Sequence, residues 1–205
     1  MSGRPKTILA GILAALTVGA IPASALTPEQ TALEAKAVAY LQGLTSAEGR
    51  FVQTDAKGQK TEGKFYLERP GRIRFEYDPP AQLVVVSDGH NVTVYDRRLR
   101  TANFYPLGLT PLHVLLAKTI RFDKAAAIDQ VERTADGFEI VAHDGKHASE
   151  GSITLEFSDS PVRLLEWTIT DASGRKTRVQ LTSLKPAGGF DPKTFIIGDD
   201  DRKPR

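Results

Sequence analysis

Four histidines, His90, His113, His143 and His147, are the side chains best suited to acid–base or metal chemistry in this 205-residue chain. Two of them bracket His143-Asp144-Gly145-Lys146-His147. Asp-Gly marks a hairpin tip, where polar residues collect for reasons of turn geometry alone. A metal loop would also need a third ligand and groups to orient the imidazoles, and the sequence offers neither. No G-x-S-x-G elbow, phosphate-cradling glycine loop or H-E-x-x-H helix occurs. The chain has no cysteine, so thiolate metal sites, cysteine nucleophiles and disulfides are excluded. These observations predict a protein that is not an enzyme and takes no metal or cofactor.

The remaining unusual charge is Arg69. In a strand, alternate residues share a face, so Phe65, Leu67 and Arg69 point the same way. The next segment puts Ile73, Phe75 and Tyr77 on one side, with Arg72, Arg74 and Glu76 on the other. Val84 with Val86, Val92 with Val94, Ile153 with Leu155 and Phe157, and Leu165 with Trp167 and Ile169 form further apolar faces. Most of these are expected to line one shared interior. Arg69 would then hold a guanidinium at the edge of an apolar concavity, where its donors must meet carbonyls or hydroxyls, such as those of a helical insert. The other reading is that Pro70 ends the strand and Arg69 turns to solvent.

Strands of period two account for most of the chain. The alternation predicts strands over 51–55, 64–68, 73–77, 83–87, 92–95, 137–142, 152–157, 164–170 and 176–184. Turn signals such as Lys57-Gly58, Pro70-Gly71, Asp78-Pro79-Pro80, Asp88-Gly89 and Ser173-Gly174 separate them. Regular short strands with such turns point to a mainly β fold: an open, strongly curved antiparallel barrel or half-barrel of about 9–11 strands. Ahead of it, Thr27-Pro28-Glu29-Gln30 reads as a capped helix start, and Leu33, Ala37, Tyr40, Leu41 and Leu44 recur at helical spacing. A second helical pattern begins at Pro111 with Leu112, Leu115 and Leu116, and 123–128 reads as a third short helix. These pieces either cover the mouth of the sheet as a lid or pack on a sheet face in the ordinary way. The charged tail from Asp199 to Arg205 is expected to fray.

The first 25 residues carry the order of a secretory signal: Arg4 and Lys6, a largely apolar stretch over 8–20, then Ala23-Ser24-Ala25 as a cleavage site. Removing them from the 205 residues leaves 180, expected to form a single domain over 26–205. Two of the 27 basic residues go with the signal, leaving 25 against 25 acidic ones. A balanced chain has no electrostatic reason to seek nucleic acid. Without a cysteine to receive lipid, the exported protein is expected to be untethered and monomeric.

In order along the chain, Phe51-x-Gln53, Gly63-x-Phe65, Arg69-Pro70-Gly71-Arg72, Tyr77-Asp78-Pro79-Pro80, Val86-Ser87-Asp88-Gly89, Val94-Tyr95-Asp96, Thr110-Pro111 with Leu115-Leu116, and Phe190-x-Pro192-x-x-Phe195 resemble the periplasmic carriers of outer-membrane lipoproteins, the LolA type. The resemblance spans nearly all of 26–205 and is densest from Phe51 to Asp96. It implies a periplasmic chaperone with an open barrel of about eleven strands under a helical lid, sheltering the acyl chains of lipidated proteins. Cargo would arrive from an ATP-driven inner-membrane release complex and pass to an outer-membrane receptor. The family's latch arginine falls on Arg69. Strand parity then nominates Phe65, Leu67, Ile73, Phe75, Val84, Val86, Val92, Val94 and Trp167 as cavity lining, with Leu41, Leu112, Leu115 and Leu116 as lid. The alternative function on the same fold is a regulatory module sensing lipids or envelope stress; a hydrolase with an unrecognised site is a third.

Overall fold

A computed structural model describes residues 26–122 and 126–202; the expected signal peptide at 1–25 lies outside them. Helix α1 (Pro28–Gly43) begins as its sequence dictates. The Thr27 hydroxyl accepts from the Gln30 N–H at 3.2 Å and the Gln30 side chain accepts from the Thr27 N–H at 2.9 Å, closing a capping box. Leu33, Ala37 and Leu41, four apart, bury one stripe.

Six strands follow: β1 (Ser46–Thr54), β2 (Lys60–Glu68), β3 (Arg72–Tyr77), β4 (Leu83–Asp88), β5 (Asn91–Asp96) and β6 (Thr101–Pro106). A 3-10 turn (Leu107–Leu109) and the single-turn α2 (Leu112–Leu116) lead into β7 (Ala126–Arg133), β8 (Gly137–Asp144), β9 (Gly151–Asp159), β10 (Val162–Asp171) and β11 (Lys176–Pro186). The sheet runs β6-β5-β4-β3-β2-β1-β11-β10-β9-β8-β7, every pair antiparallel. The chain thus builds outward from β1 to one edge, crosses through the α2 segment to the other edge, and returns to lay β11 beside β1. This is an open, curved antiparallel sheet of eleven strands, at the upper end of the 9–11 expected from the alternation and the number that the resemblance implies.

Two cross-strand pairs between β1 and β2 bring the strands close enough to curl. Gly49 stands opposite Phe65 and Phe51 opposite Gly63. A Cβ on Gly49 would meet the Ser183 carbonyl oxygen at 1.9 Å and the Phe65 ring at 2.7 Å; one on Gly63 would meet the Phe51 ring at 2.8 Å. Each aromatic ring lies over the glycine across from it, covering the bare backbone and letting the sheet coil. Above this floor Phe51 meets Phe75 and Tyr77 edge-on at 5.1 Å each, and Phe75 meets Trp167 at 6.1 Å. Leu33, Leu41, Val114, Leu115 and Leu116 close the same core from the helical side.

Several expectations fail on tertiary grounds. Ala126 to Ile128, read as part of a third helix, belong to β7, whose Ala- and acid-rich sequence has little strand propensity of its own; residues 123–125 lie outside the described set. Strand β6 went unrecognised too. Val84 and Val86 do not face the shared interior. Register pairs Phe75 with Val85, and Arg74 with Val86, so Val84 and Val86 sit on the convex side with Phe195. Five successive residues, Leu83-Val84-Val85-Val86-Ser87, offered parity no polar face to choose by. A β-bulge between Leu164 and Glu166 likewise puts Leu164, not Leu165, on the face of Trp167 and Ile169.

The tail does not fray through 202. The segment after β11 wraps back over the convex face, where Phe190 and Phe195 pack edge-on and Arg72 stacks over the Phe195 ring at 5.3 Å. Asp201, 5% exposed, pairs with Arg74 and lies 3.0 Å from Arg97, itself 2% exposed. Burial pushes the Asp201 carboxyl up, but hydrogen bonds from Arg74 and the Gly198 N–H outweigh it, with the charges of Arg74 and Arg97. The group therefore sits below the usual carboxylate range. Among the described residues no helix is long and apolar enough to cross a membrane.

Candidate binding cleft

The two halves of the sheet part company between β10 and β11. These strands pair only from Glu166 opposite Gln180 to Thr170 opposite Lys176. Beyond Gln180, β11 pairs with β1 alone, and β10 before Glu166 pairs with β9 alone. The wedge between them opens into a cleft of about 720 Å³, roofed by the C-terminal half of α1. Tyr40, Leu44, Leu164, Leu165, Leu181 and Leu184 supply most of its apolar wall. Its volume lies within the range of about 300–1,000 Å³ found for small-molecule sites.

Tyr40 of α1 and Leu164 of β10 line the cleft together, so α1 covers part of the parted edge. Burial raises the Tyr40 pKa, against the opposing influence of the Leu164 backbone and the Arg163 charge. Arg163 itself is exposed at the rim. Gly43, the last residue of α1, lines the cleft with open space where a Cβ would be.

Arg69 stands beside this roof. Its Nη2 donates to the Gln42 carbonyl at 3.3 Å, and its backbone N–H donates to Thr45 O at 2.8 Å. The acceptor comes from the end of α1, not from the helical insert that the sequence suggested. The insert touches the neighbouring loop instead, through Gly71 N–H to Leu116 O at 2.8 Å. Nε and Nη1 of Arg69 are buried with no hydrogen-bond partner among the described residues, and burial lowers the guanidinium pKa.

Of the sequence-nominated lining, Phe65, Leu67, Ile73, Phe75, Val92 and Trp167 gather on the concave side in a filled core, and Val94 lies on that side, opposite Val85. The lid candidates Leu41, Leu115 and Leu116 are buried in the same core, and Leu112 packs against it. None of these borders the cleft. Its own walls went unnominated because they depend on where two strands separate, which alternation does not encode.

The motifs prove largely architectural. Gln53 Oε1 accepts from the Tyr77 hydroxyl at 2.6 Å, satisfying a phenol whose pKa burial drives up. The buried Ser87 hydroxyl donates to Gly71 O at 2.6 Å, and Asp88 accepts from the His90 and Asn91 N–H groups to fix the β4–β5 turn. The histidines do not gather at one site, although two of them share Asp144. His143 Nδ1 lies 2.8 Å from Asp129, while His147 Nδ1 and His113 Nε2 each lie 3.3 Å from Asp144. Among the described residues no group of three or more such side chains is placed to hold a metal ion.

The chain is thus an open antiparallel half-barrel with a cleft between the sheet and the end of α1. The family model described as "Outer membrane lipoprotein carrier protein LolA" matches residues 42–197, and the chain belongs to that family. Outer-membrane lipoprotein carrier proteins of Chromobacterium violaceum and Chromohalobacter salexigens are 27% and 28% identical to it, each alignment covering 89% of this chain and 91% of the relative. The solved structure of a DUF1329 family protein from Desulfovibrio piger shares the fold at a TM-score of 0.50 and 11% identity, covering 83% of this chain and 98% of the other.

Proposed function

We propose that this protein is a periplasmic carrier of lipoproteins that holds their acyl chains in the α1–β10–β11 cleft. The reading rests on one observation: the sheet parts where α1 crosses it, leaving a cleft of about 720 Å³ with a mainly apolar wall. An acyl chain of about 14 methylenes exposes surface worth roughly 11 kcal/mol to water, at about 0.8 kcal/mol per CH₂. A lipidated protein therefore needs cover to cross an aqueous compartment, and a non-directional apolar wall gives that cover without fixing one cargo.

Membership of the lipoprotein-carrier family supports the rest of the reading. Cargo comes from an ATP-driven release complex of the inner membrane and goes to an outer-membrane receptor, with no turnover and no cofactor in the carrier. Arg69 acts as the latch. Its two unpaired donors are costly when buried, so the cover is poised to shift when ligand carbonyls compete for the guanidinium.

The test is release of lipidated substrate from inner-membrane spheroplasts by the purified mature chain, beside an unlipidated control and Gly43→Trp. A tryptophan at 43 meets no neighbour at its Cβ and adds bulk at a residue that lines the cleft. The wild type should release only the lipidated form, and Gly43→Trp should lose most of that activity while unfolding at the wild-type urea concentration. Equal release by a folded Gly43→Trp would rule out the cleft as the acyl site.

A further inference from the structure

The two ends of the sheet are finished differently. At β7 the outermost strand is tied to α1, through Gln30 Nε2 donating to Val131 O at 3.0 Å and Arg133 paired with Glu29. At β6 no described strand lies beyond, and all six residues are exposed. An edge strand presents a row of unpaired N–H and C=O groups, which proteins ordinarily cover, charge or shorten. This one instead shows aromatic side chains on both faces: Phe104 is 68% exposed and Tyr105 50% exposed.

On the convex side Phe104 is one wall of a groove of about 330 Å³ whose other walls include Val86, Tyr95, Ala102 and Ile196. Tyr95 and Arg202 line both this groove and an adjoining open basin that Arg100 also borders. Arg98, in the same turn as Arg100, is exposed as well. Among the described residues the guanidinium groups of Arg98, Arg100 and Arg202 have no hydrogen-bond or ion-pair partner, whereas the neighbouring Arg97 donates from Nε and Nη2 to Asp201.

We propose that β6 is a docking edge for an extended, acidic segment of another protein, which adds as a twelfth, antiparallel strand. Main-chain pairing along β6 supplies the hold. Because alternate side chains share a face, an apolar residue opposite Phe104 enters the groove. A carboxylate two or four residues further on then reaches Arg100 and Arg202, which favours Asp or Glu as bidentate partners. A second copy of this chain fits less well, since its own edge, Thr-Ala-Asn-Phe-Tyr-Pro, brings no carboxylate to three unpaired arginines. An anionic membrane would meet the charges but leave both the strand edge and the concave shape of the groove unsatisfied. The surface lies across the sheet from the α1–β10–β11 cleft and does not depend on what that cleft holds.

The test is selection of peptides from a random displayed library on the purified chain, followed by affinity measurement with synthetic copies of the enriched sequence. Enriched peptides should carry an apolar residue followed two or four positions later by Asp or Glu. Their affinity should fall at least about ten-fold with Arg100→Glu combined with Arg202→Glu, and with Phe104→Ser, but not with Gly43→Trp. Hydrogen exchange in β6 should slow on binding, and methylating alternate peptide nitrogens should abolish it in one of the two phases only. Absence of enrichment, peptides indifferent to the arginine variants, a β6-dependent dimer in sedimentation without peptide, or equal affinity for phosphatidylglycerol vesicles would each overturn the proposal.

Discussion

Arg69→Leu tests the latch most directly, because the arginine makes its contacts poorly. One donor reaches the Gln42 carbonyl at 3.3 Å, the long end for a hydrogen bond, and two others are buried without partners. Each buried unsatisfied donor costs about 1–3 kcal/mol, and a long bond to a charged group returns about 1 kcal/mol. Leucine removes both penalties and keeps apolar volume beside the α1 terminus; with each penalty at the low end, about 1–1.5 kcal/mol for this half-buried side chain, the covered form should gain roughly 1–2 kcal/mol. For a chain of this size that raises the melting temperature by about 2–8 °C. If release of ligand requires the cover to move, the off-rate of a fluorescent diacylated peptide should slow by about 5–30-fold while the on-rate stays close to wild type. Arg69→Lys keeps the charge and should show neither gain. Urea unfolding at pH 7 and stopped-flow displacement measure the two quantities. A leucine variant that unfolds at lower urea than wild type, or that lets ligand go faster, would refute the argument that Arg69 is held under an electrostatic penalty.

Other consequences follow from the same geometry. Asp201→Ala should cost about 3–5 kcal/mol, because it leaves Arg74 and Arg97 buried without their shared carboxylate; urea midpoints and protease cleavage after β11 would register it. Since the folded Asp201 pKa is depressed, its contribution is complete above the unfolded value of about 3.9 and is lost as pH falls through the folded value. Asp201→Asn should therefore flatten the acid limb of the stability curve, and an unchanged limb would contradict the pairing. Gly49→Ala should cost about 3 kcal/mol or more, as its Cβ would strike the Ser183 carbonyl at 1.9 Å, whereas Gly43→Ala, with nothing nearby, should stabilise by roughly 0.5–1 kcal/mol. Equal melting temperatures for the two variants would deny that the β1–β2 glycines are fixed by close approach. Thr27→Ala should remove about 1 kcal/mol by opening the capping box, measurable by thermal denaturation.

Much of the architecture was legible because it is locally encoded. The start of α1 is written in four residues, Thr27 to Gln30, whose side chains satisfy each other's backbone groups before any tertiary contact forms. The antiparallel class followed from alternation punctuated by Gly, Pro and Asp turns, and the resemblance named the family from motifs now seen to be turn locks and cross-strand partners. Where a strand is apolar on both faces, as at 83–87, alternation is silent, and only pairing with Phe75 decides that Val85 faces inward and Val84 outward. Where a strand has weak propensity, as in β7, its neighbour β8 and helix α1 impose the conformation.

The sequence by itself determined a capped helix, a run of antiparallel strands and a charged residue beside an apolar face, since these depend on neighbours a few positions apart. Tertiary structure alone decided where the cleft lies. Strands β10 and β11 separate at Glu166 because β11 is drawn to β1 while β10 stays with β9, and that divergence involves residues over a hundred positions apart. Which carbonyl meets Arg69, which valines face out, and that Asp201 returns to pin the convex face were decided the same way: by contacts that exist only once the sheet has curled.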